Sequence, residues 1–275
     1  MIRKHNRRAA KAAFAISLGV AIVIGLAVAV VARPAEAKQT AGPTVIVGSK
    51  NFPEEDILGQ LYTQALKAKG FSVQYKSQIG STELMTSALQ GGKINFYPEY
   101  TGVIVQDVFH HTFSPKTAAA TYQLAKKLES GKGYTLLSPT PFYDTDVLAV
   151  TNATASKYGL SKASFLPLAG ISAYAALDAG KVLAADVFST DPPLAKPSKY
   201  TVLTDPKHIT GFQNVAPIVK TSIAQEAGAD FTKTVNAVSA KLTLPAIIAM
   251  NKAVIIDKKN PATVAGQFLK ANGLA

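Results

Sequence analysis

Between residues 44 and 100, hydrophobic positions switch repeatedly between the period of a strand and that of a helix. Strands are predicted where apolar residues are contiguous or alternate: TVIVG (44–48), FSVQYKS (71–77) and INFY (94–97). Helices are predicted where apolar residues fall on one face: PEEDILGQLYTQALKAK (53–69) and TELMTSALQ (82–90). Pro53 suits a first helical turn, Ser81 an N-cap, and Gly91 the position after a helix. This order of elements predicts parallel strands joined by right-handed crossovers.

The rest of the chain continues to mix the two patterns. Further strands are predicted from three apolar runs: YTLLS (134–138), DVLAVT (146–151) and KVLAADVF (181–188). Further helices are predicted from helical spacing of apolar residues: 101–109, 116–130, 230–241, 244–251 and 261–272. The predicted fold class is therefore α/β, with parallel-dominated sheets flanked by helices.

The first 37 residues have the organisation of an export signal. A group of basic residues comes first: Arg3, Lys4, Arg7, Arg8 and Lys11. An uninterrupted apolar run from Ala12 to Ala32 follows, and residues 35–37 have the small-x-small pattern of a cleavage site. The chain is therefore expected to be exported, to a periplasm or to the outer face of the cytoplasmic membrane. Because the run is long enough for a bilayer of about 30 Å, an uncleaved anchor is the alternative to cleavage after Ala37.

The amino-acid composition excludes several kinds of site. The chain has no cysteine, which rules out disulfides, thiolate catalysis, cysteine-based metal sites and a lipid-modified cysteine. Every arginine lies within the first 37 residues, so a later site for a carboxylate or phosphate must use lysine, hydroxyls or backbone N–H groups. The net charge is +12, but the lysines are scattered and form no basic run. This distribution argues against nucleic-acid binding.

The sequence contains no motif for catalysis or for a bound cofactor. His110 and His111 are adjacent and His208 stands alone, so none has the spacing of a helical metal site. There is no Gly-x-Ser-x-Gly elbow and no Walker glycine loop. Glu54 and Glu55 open a predicted helix, where interaction with the helix dipole is sufficient reason for two carboxylates. We therefore expect neither an enzyme nor a metal or organic cofactor.

Three polar loops follow the first three predicted strands: GSKNFPEE (48–55), IGSTE (79–83) and YPEYTG (97–102). Ligands of open α/β sheets bind outside the carboxyl ends of the strands. Backbone N–H groups at the helix starts after Phe52 and Ser81 are expected to face one crevice there, although capping alone explains Ser81 better. Tyr97 and Tyr100 are either two buried rings with satisfied hydroxyls or one wall of a binding pocket.

The motifs in these loops resemble those of a known family. Lys-Asn-Phe (50–52), Gly-Ser-Thr-Glu (80–83) and Tyr-Pro-Glu-Tyr-Thr-Gly (97–102) together resemble the glycine betaine/choline-binding proteins of osmoprotectant ABC transporters. The similarity resumes at VFSTDPPL (187–194) and NVAPIV (214–219) and extends to the C-terminus. The resemblance implies a monomeric, two-lobed periplasmic-binding-protein fold of type II with a hinge between the lobes. It also implies a quaternary ammonium ligand and an ABC permease as partner.

The resemblance implies a set of ligand contacts in the first lobe. A trimethylammonium group has no N–H and is held by aromatic faces through cation–π contacts. Tyr100 and Tyr97 are expected in an aromatic cage, with burial in the core as the alternative for Tyr97, and Lys50 is expected at the polar end of the ligand. The other contacts expected from this lobe are Asn51, Phe52, Ser81, Thr82 and Thr101.

The facing lobe is expected to contribute from PFYDTDVLAV (141–150) and FSTD (188–191). Tyr143 can supply a ring, and Asp144 and Asp146 either form hinge hydrogen bonds or line the cleft. Asp191 either contacts the ligand or belongs to a turn that ends a strand before two prolines.

Lobe one is expected to comprise residues 44–145 with 222–275, and lobe two residues 146–221. The chain departs from the family in two respects. Val103 stands where family members commonly carry another threonine, and the stretch between KYGL (157–160) and the following SAYAALDAG is shorter, which shortens lobe two. The alternatives to a transport function are a membrane-anchored ligand sensor and a degenerate relative with an altered or lost ligand.

Overall fold

The computed structural model describes residues 42–111, 115–155, 164, 166–167, 172–195 and 197–275. The predicted signal or anchor (1–37) and the segment KYGL (157–160) lie outside the described residues. Within the described part, no single helix is long and apolar enough to span a membrane. Thr221–Lys241 and Leu244–Ile255 meet that test only as a pair, across a bend of 85°.

The strands of the described chain form two sheets. In chain order they are β1 (Val45–Lys50), β2 (Val73–Gly80), β3 (Phe96–Tyr100), β4 (Tyr134–Leu136), β5 (Asp146–Thr151), β6 (Ala185–Phe188), β7 (Tyr200–Val202) and β8 (Val215–Lys220). The first sheet has the order β2-β1-β3-β8-β4 and the second the order β6-β5-β7. The second sheet is the frame of the smaller, second lobe.

Helices flank both sheets. They are α1 (Pro53–Ala68), α2 (Thr82–Gln90), α3 (Thr101–Val103), α4 (Ala118–Ser130), α5 (Asn152–Ala155), α6 (Ser172–Asp178), α7 (Thr221–Lys241), α8 (Leu244–Ile255) and α9 (Pro261–Ala271). α3 continues directly into a π-helical turn, Ile104–Val108, and a short 3₁₀ turn, Pro192–Leu194, follows β6. Local signals explain several boundaries, since α1 and α9 start with proline and Thr117 caps α4 through its side chain.

The pairing of the strands corrects one expectation. β1 pairs in parallel with β2 and β3, as the predicted crossovers require. The other pairs, β3 with β8, β8 with β4, and β5 with both β6 and β7, are antiparallel. The α/β class is confirmed, but the sheets are mixed and antiparallel rather than parallel-dominated. β8 returns to the first sheet from the second lobe, and that direction of entry makes it antiparallel to β3.

Four of the described helices and strands were not predicted from the sequence: α5, α6, β7 and β8. β8 is the most consequential, because it lies between β3 and β4 in the first sheet. From the sequence, residues 146–221 were expected in lobe two. In the structure, Val215–Lys220 of that range is a strand of the first sheet. A strand of six residues with proline at its centre gives little local signal.

Alternation along β3 divides the core of the first lobe. Phe96 and Tyr100 point to the face covered by α1 and α7, where Phe96 makes edge contacts with Tyr62 and Phe231. Tyr97 points to the opposite face and packs with Met85 and neighbouring apolar residues. Side chains of a strand alternate between faces, so two tyrosines three residues apart cannot share one wall.

Two adjacent chain segments connect the sheets. The first runs from β4 to β5 and the second from β7 to β8. They meet through a bridge between Tyr143 and Asn214, and the backbone N–H of Asp144 donates to the carbonyl of Gln213 at 3.1 Å. The Thr145 hydroxyl donates to the carbonyl of Thr210 at 3.1 Å. The connection is therefore a pair of hydrogen-bonded strand-like segments, which is the place expected for a hinge.

Candidate ligand-binding cleft

A cleft of about 460 Å³ lies where the carboxyl ends of β1 and β3 face the turn after β6. Both lobes contribute to its walls, and α8 closes one side. Its lining residues are Lys50, Phe52, Pro53, Glu54, Tyr100, Val103, Asp144, Thr145, Asp146, Phe188, Thr190, Asp191, Gln213, Asn251 and Ile255. The position agrees with the rule that ligands bind beyond the carboxyl ends of strands in open α/β sheets.

Aromatic rings from three elements border the cleft. Tyr100 ends β3 and stacks with Phe52, the residue before α1, with ring centroids 6.3 Å apart and an angle of 23° between the planes. Phe188 ends β6 on the other lobe, opposite Asp146 in the strand register, and its side chain is 53% exposed. An apolar ring left in contact with water beside a cleft is suited to cover a ligand that enters it.

A buried carboxylate from α1 joins this aromatic wall. Glu54 is 4% exposed, accepts a hydrogen bond from the Tyr100 hydroxyl at 2.9 Å, and accepts another from Asn251 Nδ2 at 2.7 Å. Burial raises the pKa of the Glu54 carboxyl above its ordinary value, and the neighbouring Asp191 adds to the rise. Asn251 also donates to the carbonyl of Thr190 at 3.2 Å, so this network joins the two lobes.

Two further carboxylates belong to the second lobe and its connection. Asp144 Oδ1 accepts a hydrogen bond from the Thr190 hydroxyl at 2.8 Å. Burial and then the charge of Glu54 raise the pKa of Asp144 to about 8. Asp191 accepts from the Tyr174 hydroxyl at 3.0 Å, and burial raises its pKa as well. Burial is thus the largest cause of all three raised pKa values, and charge repulsion adds to the rise for Glu54 and Asp144.

The ammonium of Lys50 already has a partner. It donates to Glu99 Oε1 at 2.5 Å, and the two side chains are 6% and 0% exposed. The same ammonium lies 5.1 Å from the centroid of the Tyr100 ring. Lys50 borders the cleft with its charge already paired with Glu99, and its contact with the polar end of a ligand stays a prediction.

Half of the residues expected at the site line the cleft together: Lys50, Phe52, Tyr100, Asp144, Asp146 and Asp191. Asp144 was expected either to form a hinge hydrogen bond or to line the cleft, and it does both. Its backbone N–H bonds to the second connecting segment, and its side chain lines the cleft. Whether these residues contact a ligand remains a prediction.

The other six expected residues do not line the cleft. Tyr97 is 1% exposed and lies in the core, and the Thr101 hydroxyl donates to the carbonyl of Phe212. Tyr143 is 44% exposed and contributes its backbone to the bridge between the connecting segments. Asn51 is exposed, and the Ser81 hydroxyl, next to Thr82, donates to Glu83 at 2.5 Å instead of capping α2.

Several lining residues were not expected from the sequence. Glu54 was explained by the helix dipole, and Phe188, although its motif was noted, was not assigned to the site. Asn251 and Gln213 are distant in sequence from the motif loops and gave no signal. Gln213 packs where Gly102 leaves room, since a Cβ there would lie 2.6 Å from the glutamine side chain.

The cleft combines aromatic rings with an excess of carboxylates. The rings can hold an apolar cation through cation–π contacts, and the carboxylates add attraction for positive charge. Within the described part of the chain, no three histidine, aspartate or glutamate side chains are grouped closely enough to hold a metal ion. Rings and carboxylates in one cleft suit a positively charged ligand, and fold and site together define a two-lobed solute-binding protein.

The family follows from comparison with known proteins. The profile described as the substrate binding domain of the ABC-type glycine betaine transport system matches residues 43–166 and 157–271. The chain belongs to this family. Since its members are solute-binding domains, the chain is a binding protein and not an enzyme.

Individual relatives agree with the family. The glycine-betaine-binding protein of Pseudomonas aeruginosa PAO1 is 26% identical over 84% of this chain and 88% of its own length. The glycine betaine-binding protein YehZ of Escherichia coli K12 is 27% identical over 86% of this chain and 92% of its own. A crystal structure described as a glycine betaine/carnitine/choline ABC transporter superposes with a TM-score of 0.75 at 18% identity, over 84% of this chain and 99% of that one. It confirms the two-lobed fold.

Proposed function

We propose that this chain is the exported substrate-binding component of an ABC importer for quaternary ammonium osmoprotectants. It binds one ligand between its two lobes without chemical change and then docks on a membrane permease. The observation that carries the proposal is the cleft lined by Phe52, Tyr100 and Phe188 together with buried carboxylates. The names of the relatives, which include glycine betaine and choline, support the same ligand class.

The chemistry of the cleft supports this class over neutral solutes. A quaternary ammonium group cannot donate a hydrogen bond, so its binding depends on ring faces and on nearby negative charge. Closure of the lobes would bring the exposed Phe188 towards the Phe52–Tyr100 pair. Ligand binding then favours the closed form because only that form offers contacts from both lobes. We propose that the monomer acts in this way at the outer side of the cytoplasmic membrane.

Phe188 provides the cleanest test of the aromatic wall. Tyr100 is buried and bonded to Glu54, so truncating it would also disturb the fold. We expect Phe188→Ala to weaken binding of the tetramethylammonium ion by about 1 kcal/mol, the size of one cation–π contact in a partly exposed site. Titration calorimetry measures this loss.

Leu148→Ala is the matched control for that variant. Leu148 is 50% exposed and lies on the neighbouring strand β5, but it does not line the cleft. Its truncation should leave the affinity unchanged. Equal affinities of the two variants would remove Phe188 from the site.

A further inference from the structure

Three carboxylates border the cleft from three separate parts of the fold. Glu54 lies in the first turn of α1, Asp144 in the first connecting segment, and Asp191 at the turn after β6. Hydrogen bonds hold each in place: Tyr100 and Asn251 to Glu54, Thr190 to Asp144, and Tyr174 to Asp191. These three carboxyl groups therefore have fixed positions on both lobes.

The positive charge at the cleft is already neutralised. Among the described lining residues, Lys50 is the one cationic side chain, and its partner Glu99 is completely buried beside it. Asp146 adds a further, exposed carboxylate to the lining. Among the described lining residues, a ligand carboxylate thus meets carboxyl groups, which carry like charge once ionised, and no unpaired ammonium.

We propose that, once its carboxyl groups are ionised, the cleft selects among quaternary ammonium ligands by net charge, accepting monocations whose far end is uncharged and rejecting zwitterions that carry a carboxylate. The inference rests on the proposed function and names the substrate class within it. A hydroxyl at the far end can donate a charge-assisted hydrogen bond to Asp144 or Asp191. A carboxylate there is repelled, and this repulsion is poorly screened inside a partly buried cleft.

The raised pKa values of the three carboxyls make this selection depend on pH, because the groups repel a ligand carboxylate only when they are ionised. Burial is the largest cause for each, and their mutual repulsion adds to it for Glu54 and Asp144. A ligand with a net positive charge relieves that repulsion, whereas a zwitterion brings an additional negative group into it.

Choline and glycine betaine test the inference, because both carry trimethylammonium and they differ in a hydroxymethyl against a carboxylate. The full chain, kept in a maltoside detergent, is titrated calorimetrically with each at mildly alkaline pH. Choline should bind at least ~10-fold more tightly, given the cost of placing like charges together. Asp144→Asn and Asp191→Asn should each reduce the ratio of choline affinity to betaine affinity, because betaine should bind these variants more tightly. Asp230→Asn, an exposed charge on α7 outside the cleft, should leave the ratio unchanged.

The possible results separate the inference from the proposed function. Betaine binding as tight as choline binding, or tighter, overturns selection by net charge and leaves a quaternary ammonium site standing. Absence of binding by choline, betaine and tetramethylammonium alike overturns the proposed function and the inference with it. An unchanged ratio in both folded asparagine variants overturns the assignment to these carboxylates. The wild-type ratio requires no variant, so a variant that fails to fold does not prevent a decision.

Discussion

Replacing Lys50 by methionine is expected to lower the free energy of unfolding by about 3–5 kcal/mol, the usual consequence of removing one partner of a buried ion pair. Glu99 would remain at 0% exposure without its counter-charge, and its second carboxylate oxygen already has no hydrogen-bond partner. Methionine keeps most of the apolar stem of lysine, so lost packing contributes little. Urea denaturation at neutral pH measures the change.

Two further variants identify the cause of that loss. Lys50→Met combined with Glu99→Gln should recover much of the stability, because it leaves no uncompensated charge. Lys252→Met breaks an exposed pair with Asp257 and should change stability little. If Lys50→Met is as stable as Lys252→Met, the buried pair does not stabilise the fold, and Lys50 becomes available again as a ligand contact.

Ligand affinity is expected to rise with pH as Asp144 ionises. The folded, ligand-free protein holds the pKa of Asp144 at about 8, whereas a cation in the cleft favours the ionised form. The gain between pH 6 and 8 should reach up to about 50-fold if one proton must leave on binding. Titration with tetramethylammonium, which has no titratable group, measures the dependence.

Groups on several elements affect the pKa of Asp144. The charges of Glu54 on α1 and Asp191 after β6 raise it and the Thr190 hydroxyl lowers it, while Tyr100 and Lys50 line the same cleft. Glu54 and Asp191 also have raised pKa values, so a shallower pH dependence should persist in Asp144→Asn. A wild-type affinity that is constant from pH 6 to 9, or an equally steep change in Asp144→Asn, would contradict this assignment.

The raised pKa of Asp144 gives the stability of the ligand-free protein the opposite pH dependence to that of ligand affinity. Because the folded-state pKa of Asp144 is raised, this group favours folding most fully below its ordinary pKa, and that contribution is lost as the pH rises through about 8. The thermal midpoint of the ligand-free protein should therefore fall between pH 5 and 8, and less so in Asp144→Asn. Added ligand should offset the fall.

The sequence predicted the first half of the larger lobe well, because its elements have strong local signals. The period-2 and period-3.6 runs from β1 to β3 correspond closely to the observed strands and helices. The alternation of side chains along a strand also predicts the position of Tyr97, because residues 97 and 100 must point to opposite faces. Family resemblance placed Tyr100 in a cage and left Tyr97 open between cage and core, whereas the spacing alone would have separated them.

The remaining features depend on contacts between distant residues. Lys50 meets Glu99 across 49 positions, and Asn251 meets Glu54 across 197. No local pattern reveals that a lysine in a ligand motif is already paired, or that a helix-starting glutamate is buried in a site. β8 likewise joins the first sheet only after the chain has built the second lobe. Two of the three motif loops, 48–55 and 97–102, border the cleft, and long-range packing determines its charge.

The most direct test of a quaternary ammonium site compares choline with its neutral carbon isostere, 3,3-dimethylbutan-1-ol, by titration calorimetry. The two molecules have nearly the same shape and hydroxyl, and they differ in the charge at one central atom. The aromatic and acidic lining of the cleft predicts saturable binding of choline and at least ~10-fold weaker binding of the isostere, from the combined cation–π and charge contributions. Equal affinity for both, or no binding of choline by the cooperatively folded protein, would contradict a cation site in this cleft.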